Sequence, residues 1–332
     1  MGVKKGILVH PDEFTKKQID RAASLGVDVI GIHPVGGKEA AGSLSALVGL
    51  CKTGEFRALV DYAIDVCGLT VEYECHAASY LLDRGLFDAH PEYFRMDENG
   101  ERTPDVNFCP SSAEALRIVA ERAVALAESL YRGSHDFYFW LDDVSGKKCC
   151  CEKCRELSHS DQQMIYLKAI GEALGKRFYD ARVPYLAYFN TVKLPEKFKP
   201  DGRIFLEYAP FEKYVKKHPE MIGREAEMLD PLLDFFGRED AKVLEYWLDN
   251  SLFSGWKKPP KPLAVDRGTV AREVAYYKAH GVKNIATFAC FLGDDYEALY
   301  GEPDIAAFAA SEASPSAYEA RLRRSDIRPA DE

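Results

Sequence analysis

The chain has 332 residues, 47% of them hydrophobic and 12% aromatic, and a formal net charge of −10. That length and apolar content support one large α/β domain or two small ones with full cores. The acidic balance argues against a nucleic-acid surface, which needs a basic stripe to meet the phosphate backbone.

At the N-terminus, MGVKKGILVHPDEF holds only a four-residue apolar run before His10, too short for a secretion signal. No later stretch approaches the length of a membrane span. The nine cysteines are an odd number without the spacing of a small disulfide scaffold. They fit a reducing compartment, and the expectation is a cytoplasmic protein.

Eight β-rich runs follow in order, at 5–10, 27–33, 69–76, 135–141, 183–189, 203–209, 242–248 and 284–290. Helical periods separate most of them. DEFTKKQIDRAASLG follows the first run and stops at Gly26, and EFRALVDYAIDVCG follows the second and stops at Gly68. SSAEALRIVAERAVALAESLY precedes the fourth run, with Glu114 three residues after Ser111 in a capping-box pattern. SDQQMIYLKAIGEALGKRF follows the fourth run, the stretch 210–237 holds a helix after the sixth, and DRGTVAREVAYYKAHG follows the seventh. Only NTVKLPEKFKPDG, between the fifth and sixth, is too short and proline-rich for a full helix.

Strands alternating with helices call for a parallel sheet, and eight such units point to a closed (β/α)₈ TIM barrel. No GxGxxG or Walker loop follows any strand, which weakens a nucleotide-binding alternative. The expected organisation is one barrel domain over residues 1–313 and a polar tail over 314–332. The long connections at 34–53 and 77–110 are the expected walls of a substrate cleft.

A barrel of this kind carries its site where the strands end. Those ends supply His10, His33, Glu74 with His76, Asp142 with Asp143, Tyr188 with Asn190, Glu207, Trp247 with Asp249, and Cys290. Trp247 and Tyr188 are candidate platforms for the apolar faces of sugar rings. Glu74, Glu207 and Asp249 are candidate acceptors for hydroxyl groups, and His10 and His33 are candidate binding residues. Each has a plainer explanation as a loop hydrogen-bonder or a solvated rim charge, but their convergence suggests an enzyme's polar cleft.

Asp142-Asp143 is the strongest feature. Adjacent residues on a regular strand point to opposite faces. Both carboxylates can serve one ligand only where the strand ends and the backbone turns, which suits two different tasks. Behind them, Cys149, Cys151 and Cys154 supply three soft ligands in a short loop, close to zinc-knuckle spacing. Cys150, His159 or Cys109 are candidates for a fourth. A zinc ion there would brace the loop, with reduced structural thiols as the alternative.

The segment HPEYFRMDENGERTPDVNFCPSSAEALRIVAERA, the aromatic strand ending in Asp142-Asp143, the CxCxxC and helix behind it, KVLEYWLDNSLF and GVKNIATFAC together resemble domain-of-unknown-function family 4838. That family is partly classified as glycoside hydrolase family 163, and the likeness covers roughly residues 5–305. The resemblance implies a (β/α)₈ glycosidase with endo-β-N-acetylglucosaminidase members acting on glycoprotein glycans, a carbohydrate partner, and no cofactor for catalysis. The acidic pair is also similar to that of family 84 N-acetylglucosaminidases. Carried over, Asp142 orients the substrate's acetamido group and Asp143 is the general acid/base, with no protein nucleophile. Two other readings stay open: Asp143 working with Glu207 as nucleophile, and a non-catalytic carbohydrate-binding or scaffold barrel with a zinc-stapled loop.

Overall fold

The protein is described by a computed structural model over residues 2–215 and 219–311; the tail expected over 314–332 lies outside the described residues. Eight strands build one sheet: β1 (Lys4–Val9), β2 (Val29–Ile32), β3 (Thr70–His76), β4 (Tyr138–Trp140), β5 (Val183–Ala187), β6 (Ile204–Tyr208), β7 (Lys242–Glu245) and β8 (Asn284–Phe288). All paired neighbours are parallel, and β8 returns beside β1 in a register running from Lys4 opposite Asn284 to Leu8 opposite Phe288. The expected TIM barrel is present.

One seam is thin. Between β4 and β5 the contact is a single parallel bridge of Asp136 with Arg182. Phe137 N–H donates to Arg182 O at 2.8 Å and Arg182 N–H to His135 O at 2.9 Å, while the Arg182 guanidinium holds Asp136 at 2.7 Å. The strands are joined at their amino ends and part toward their carboxyl ends, beside the loop that carries Asp142 and Asp143.

Side-chain alternation divides the core into two layers. Leu8, Tyr138, Trp140, Leu186, Leu244 and Phe288 fill the barrel. Their strand neighbours Ile7, Val9, Phe137, Phe139 and Val243 pack outward in the larger cluster shared with the helices. Below the mouth the filling turns ionic: the Lys242 ammonium lies 2.7 Å from Glu74, 3.1 Å from Glu72 and 3.3 Å from Glu207. Gly31 makes room for this cluster, because a Cβ there would stand 2.7 Å from Glu74 Oε1 and 2.9 Å from Leu8 Cγ.

The helices follow their sequence signals closely. Lys16–Ser24 ends just before Gly26, which takes a φ of 74°, a conformation that favours glycine. The helix Ala113–Ser129 starts one residue later than the capping-box pattern suggested. Ser112, not Ser111, accepts the Ala115 N–H, and Glu114 instead pairs with Arg117 at 2.6 Å. A capping box does occur at His159–Arg177, between Ser158 and Asp161. The connection at 34–53, expected as loop, contains the helix Ala40–Leu50. Its composition, AAGSLSALVGL, has little polar periodicity, and it is stabilised by burying Leu44, Leu47 and Val48. Among the described residues no helix is long and apolar enough to cross a membrane.

Candidate active site

A cavity of about 400 Å³ opens at the carboxyl ends of the strands. His10, His33 and His76 reach it from the ends of β1, β2 and β3, Asp143 from the loop after β4, Tyr188 from the end of β5, and Asp249 from the loop after β7. These six, all expected from the sequence, are brought together, and Cys290 joins them. The Tyr188 hydroxyl donates to Asp143 Oδ1 at 3.1 Å. Asp249 Oδ1 accepts the Ser251 hydroxyl at 2.5 Å and the Leu252 N–H at 3.2 Å. Burial nonetheless pushes the Asp249 carboxyl above its ordinary range, against those bonds.

The acidic pair divides. Asp143 lines the large cavity, whereas Asp142 lines a smaller one of about 70 Å³ beside it. The Asp142 carboxylate is held by Ser79 N–H at 3.0 Å, the Ser79 hydroxyl at 2.5 Å and Asn107 N–H at 2.5 Å. Strand parity alone would have sent Asp142 inward with Tyr138 and Trp140. The strand stops at Trp140, and a tight turn follows, with Val144 N–H on Asp142 O at 2.8 Å, so the inward position passes to Asp143.

Other expected residues lie elsewhere. Trp247 is no sugar platform: it faces outward, donates from Nε1 to Glu273 at 2.5 Å and packs on Phe308 at 5.5 Å between ring centres. Parity explains this, since Lys242, Leu244 and Tyr246 take the inward positions of that strand. Glu74 and Glu207 do not reach the cavity and cannot bind a ligand's hydroxyls there; they sit fully buried beneath it on Lys242, with Glu207 Oε2 accepting Trp140 Nε1–H at 2.8 Å. Burial pushes both carboxyls up. Asn190 lines the smaller cavity and braces the loop after β4, its Oδ1 accepting Gly146 N–H at 2.6 Å and the Ser145 hydroxyl at 3.2 Å.

Besides Tyr188, the aromatic surfaces of the large cavity include Trp140, Phe211, Tyr246, Phe288, Phe291 and Trp256. Trp140 lies under the histidines, 5.7 Å from His33 and 5.1 Å from His76 between ring centres. Trp256, 60% exposed, stands at the rim. Inward parity could have identified Trp140 and Tyr246. Trp256, on a loop and at positive φ, gave no periodic signal.

Behind the smaller cavity four cysteines meet. Cys109, Cys149, Cys151 and Cys154 are buried, and their sulfur atoms all lie within 4.8 Å of one another. Cys109 stands 3.5 Å from Cys149, 3.7 Å from Cys151 and 4.0 Å from Cys154. A tetrahedron with metal–sulfur bonds of about 2.3 Å has sulfur–sulfur edges of about 3.8 Å, so the four thiols fit a divalent metal. Cys149 also receives Met96 N–H at 3.4 Å and lies 3.9 Å from the Arg102 guanidinium, donors that would offset thiolate charge. The fourth partner left open by the sequence is therefore Cys109. Half-exposed Cys150 points to Lys148 O, and His159 is not part of the cluster.

Among known families, the one described as "Domain of unknown function (DUF4838)" matches residues 55–224. No curated protein matches the chain. Similar solved structures include an α-amylase from Lactobacillus plantarum, with 12% identity, 86% of this chain and 70% of that one covered, and a TM-score of 0.46. An α-galactosidase from Thermus thermophilus has 13% identity over 94% of this chain and 66% of that one, with a TM-score of 0.47. An HpcH/HpaI aldolase from Desulfitobacterium hafniense has 12% identity over 99% and 95%, with a TM-score of 0.36. None of these three transfers an activity to this chain.

Proposed function

The chain belongs to the DUF4838 family, and from that premise we propose that residues 1–313 form one catalytic domain, a glycoside hydrolase. Its substrate in this proposal is a β-linked 2-acetamido sugar, cleaved with retention through the substrate's own acetamido group. The observation that carries the reading is the placing of Asp143, held by the Tyr188 hydroxyl, in an aromatic-walled cavity that also contains the carboxylate of Asp249.

In the first step the acetamide oxygen bonds to C1 as the C1–O glycosidic bond breaks. Asp143 gives its proton to the leaving oxygen. The acetamido N–H needs a carboxylate partner while its oxygen attacks. The resemblance gives that task to Asp142, whose oxygens are already engaged by Ser79 and Asn107. Asp249 shares the cavity with Asp143 and takes the role here. In the second step water attacks C1, the ring of the cyclised intermediate opens, and Asp143 accepts the water's proton.

Glu207 is too deep to serve as nucleophile, but Asp249 also supports direct displacement without acetamido participation. A thiazoline analogue of the cyclised intermediate separates the two, because the assisted route makes it a strong inhibitor. Hydrolysis of an aryl-glycoside panel tests the enzyme reading itself. No turnover across the panel would favour the non-catalytic carbohydrate-binding barrel.

The four-cysteine cluster is assigned a structural zinc ion. Four sulfur ligands leave no open position for water or substrate, so the metal would brace the loop and take no part in the chemistry. Free thiols throughout the described residues fit the cytoplasmic location proposed with it.

A further inference from the structure

We propose that the cavity at the barrel mouth recognises an uncharged sugar through a row of three imidazole acceptors, and that it rejects anionic sugars. The inference rests on the glycosidase reading only in taking the ligand to be a sugar; the charge discrimination follows from the cavity itself.

The three rings are fixed in the same way. His10 Nδ1 meets His33 O at 2.8 Å, His33 Nδ1 meets Glu74 O at 2.8 Å, and His76 Nδ1 meets Leu141 O at 2.7 Å. A carbonyl oxygen only accepts, so each Nδ1 carries the hydrogen. In its uncharged form a ring held this way keeps a lone pair on Nε2. No described protein group hydrogen-bonds to any of these Nε2 atoms, and none is among the sealed polar atoms without partners. They open onto the cavity that the rings line. Ring centres stand 5.9 Å apart from His10 to His33 and 6.0 Å from His33 to His76, so the row can meet several hydroxyls of one ligand. Burial and the flanking rings hold His33 well below the usual histidine range, which keeps the central member neutral.

The rest of the lining agrees. Its acidic residues are Asp143 and Asp249, and none of the described residues lining it is lysine or arginine. The Tyr188 hydroxyl is already donated to Asp143 and that of Ser251 to Asp249. Such a wall has many acceptors and few free donors. A polyol supplies donors from every hydroxyl, whereas a carboxylate or phosphate would face two carboxylates and the uncharged His33 with no described lysine or arginine in the lining to offset its charge. Gly36 keeps the approach open, since a Cβ there would lie 3.0 Å from His76 Cδ2 and 3.5 Å from Asp143 Oδ2.

The test is ligand-observed NMR on the full chain with free sugars, which cannot be hydrolysed: N-acetylglucosamine and glucose against glucuronic acid, N-acetylneuraminic acid and N-acetylglucosamine 6-phosphate. At least one neutral sugar should bind, with every anionic one at least tenfold weaker. His33→Leu should weaken the neutral sugar about tenfold, the loss of one hydrogen bond. His76→Leu, nearer the rim, repeats the measurement should His33→Leu fail to fold. Anionic sugars binding as well as neutral ones, unchanged affinity in a folded variant, or no binding by any sugar would overturn the inference. Neutral-sugar binding without glycoside turnover would uphold it while removing the hydrolase reading. Turnover of an anionic glycoside would do the reverse.

Discussion

Asn107 and Asp142 clasp each other across two loops. Asn107 N–H donates to Asp142 Oδ2 at 2.5 Å, and Asp142 N–H donates to Asn107 Oδ1 at 2.9 Å. Asn107 adopts a φ of 49° to do so, and it lies two residues before Cys109 of the thiol cluster. The clasp joins the wall that follows β3 to the turn that presents Asp143. Asp142→Ala would leave the Ser79 and Asn107 donors without a partner at a site only 8% exposed. Each orphaned donor costs about 1–3 kcal/mol. Denaturant unfolding should show a loss in that range or above, and residual turnover should fall for all leaving groups alike.

Asp143→Asn should behave differently. If Asp143 protonates the leaving oxygen, glycosides with poor leaving groups should lose about 10²–10⁴-fold in rate, and activated aryl glycosides much less. The fold should be unaffected, because among the described residues the Asp143 side chain bonds only with Tyr188. Equal small losses for both substrate types would remove its acid/base role.

The thiol cluster predicts one zinc per chain by elemental analysis of protein purified without added metal. Cys109→Ser removes the ligand contributed by the other loop and should abolish stoichiometric zinc. A chelator should make the four thiols titratable and lower the melting temperature of the wild type, with little effect on the variant. Protein that is free of metal and indifferent to chelators would leave these residues as structural thiols.

Lys242 is the sole cation described against Glu72, Glu74 and Glu207. Burial works against its charge, but the three carboxylates outweigh that and raise its pKa well above the ordinary lysine value. Lys242→Met should destabilise by about 3–5 kcal/mol, the range for orphaning a buried ionic partner. Replacing Glu74 by Gln should cost less, since Glu72 and Glu207 remain beside Lys242.

Glu225 gives a pH dependence. Burial pushes its carboxyl up to about 7, while its Oε1 accepts the Glu212 N–H at 3.1 Å. A carboxyl raised on folding keeps its proton while the unfolded chain loses it, so its contribution to stability falls as pH rises from about 4.5 to about 7. Glu225→Gln lacks this loss. Melting temperatures should show the variant gaining on the wild type from pH 5 to pH 8; a constant difference would contradict the assignment.

The amino-acid order by itself determined the barrel, since eight alternations of strand and helix leave few other ways to bury both faces of a parallel sheet. It also determined which residues stand near the strand ends. Strand parity in principle placed Tyr246 inward and Trp247 outward, because alternation is a local property of extended backbone. Tertiary structure alone decided what happens after the strands stop. The turn that exchanges Asp142 for Asp143 and the arrival of Cys109 beside Cys149 and Cys154 depend on loops packing against one another, and the depth of Glu74 and Glu207 depends on closing β3, β6 and β7 around Lys242. Those contacts join residues 35 to 170 positions apart, such as Asn107 with Asp142 and Glu72 with Lys242, and no local periodicity records them.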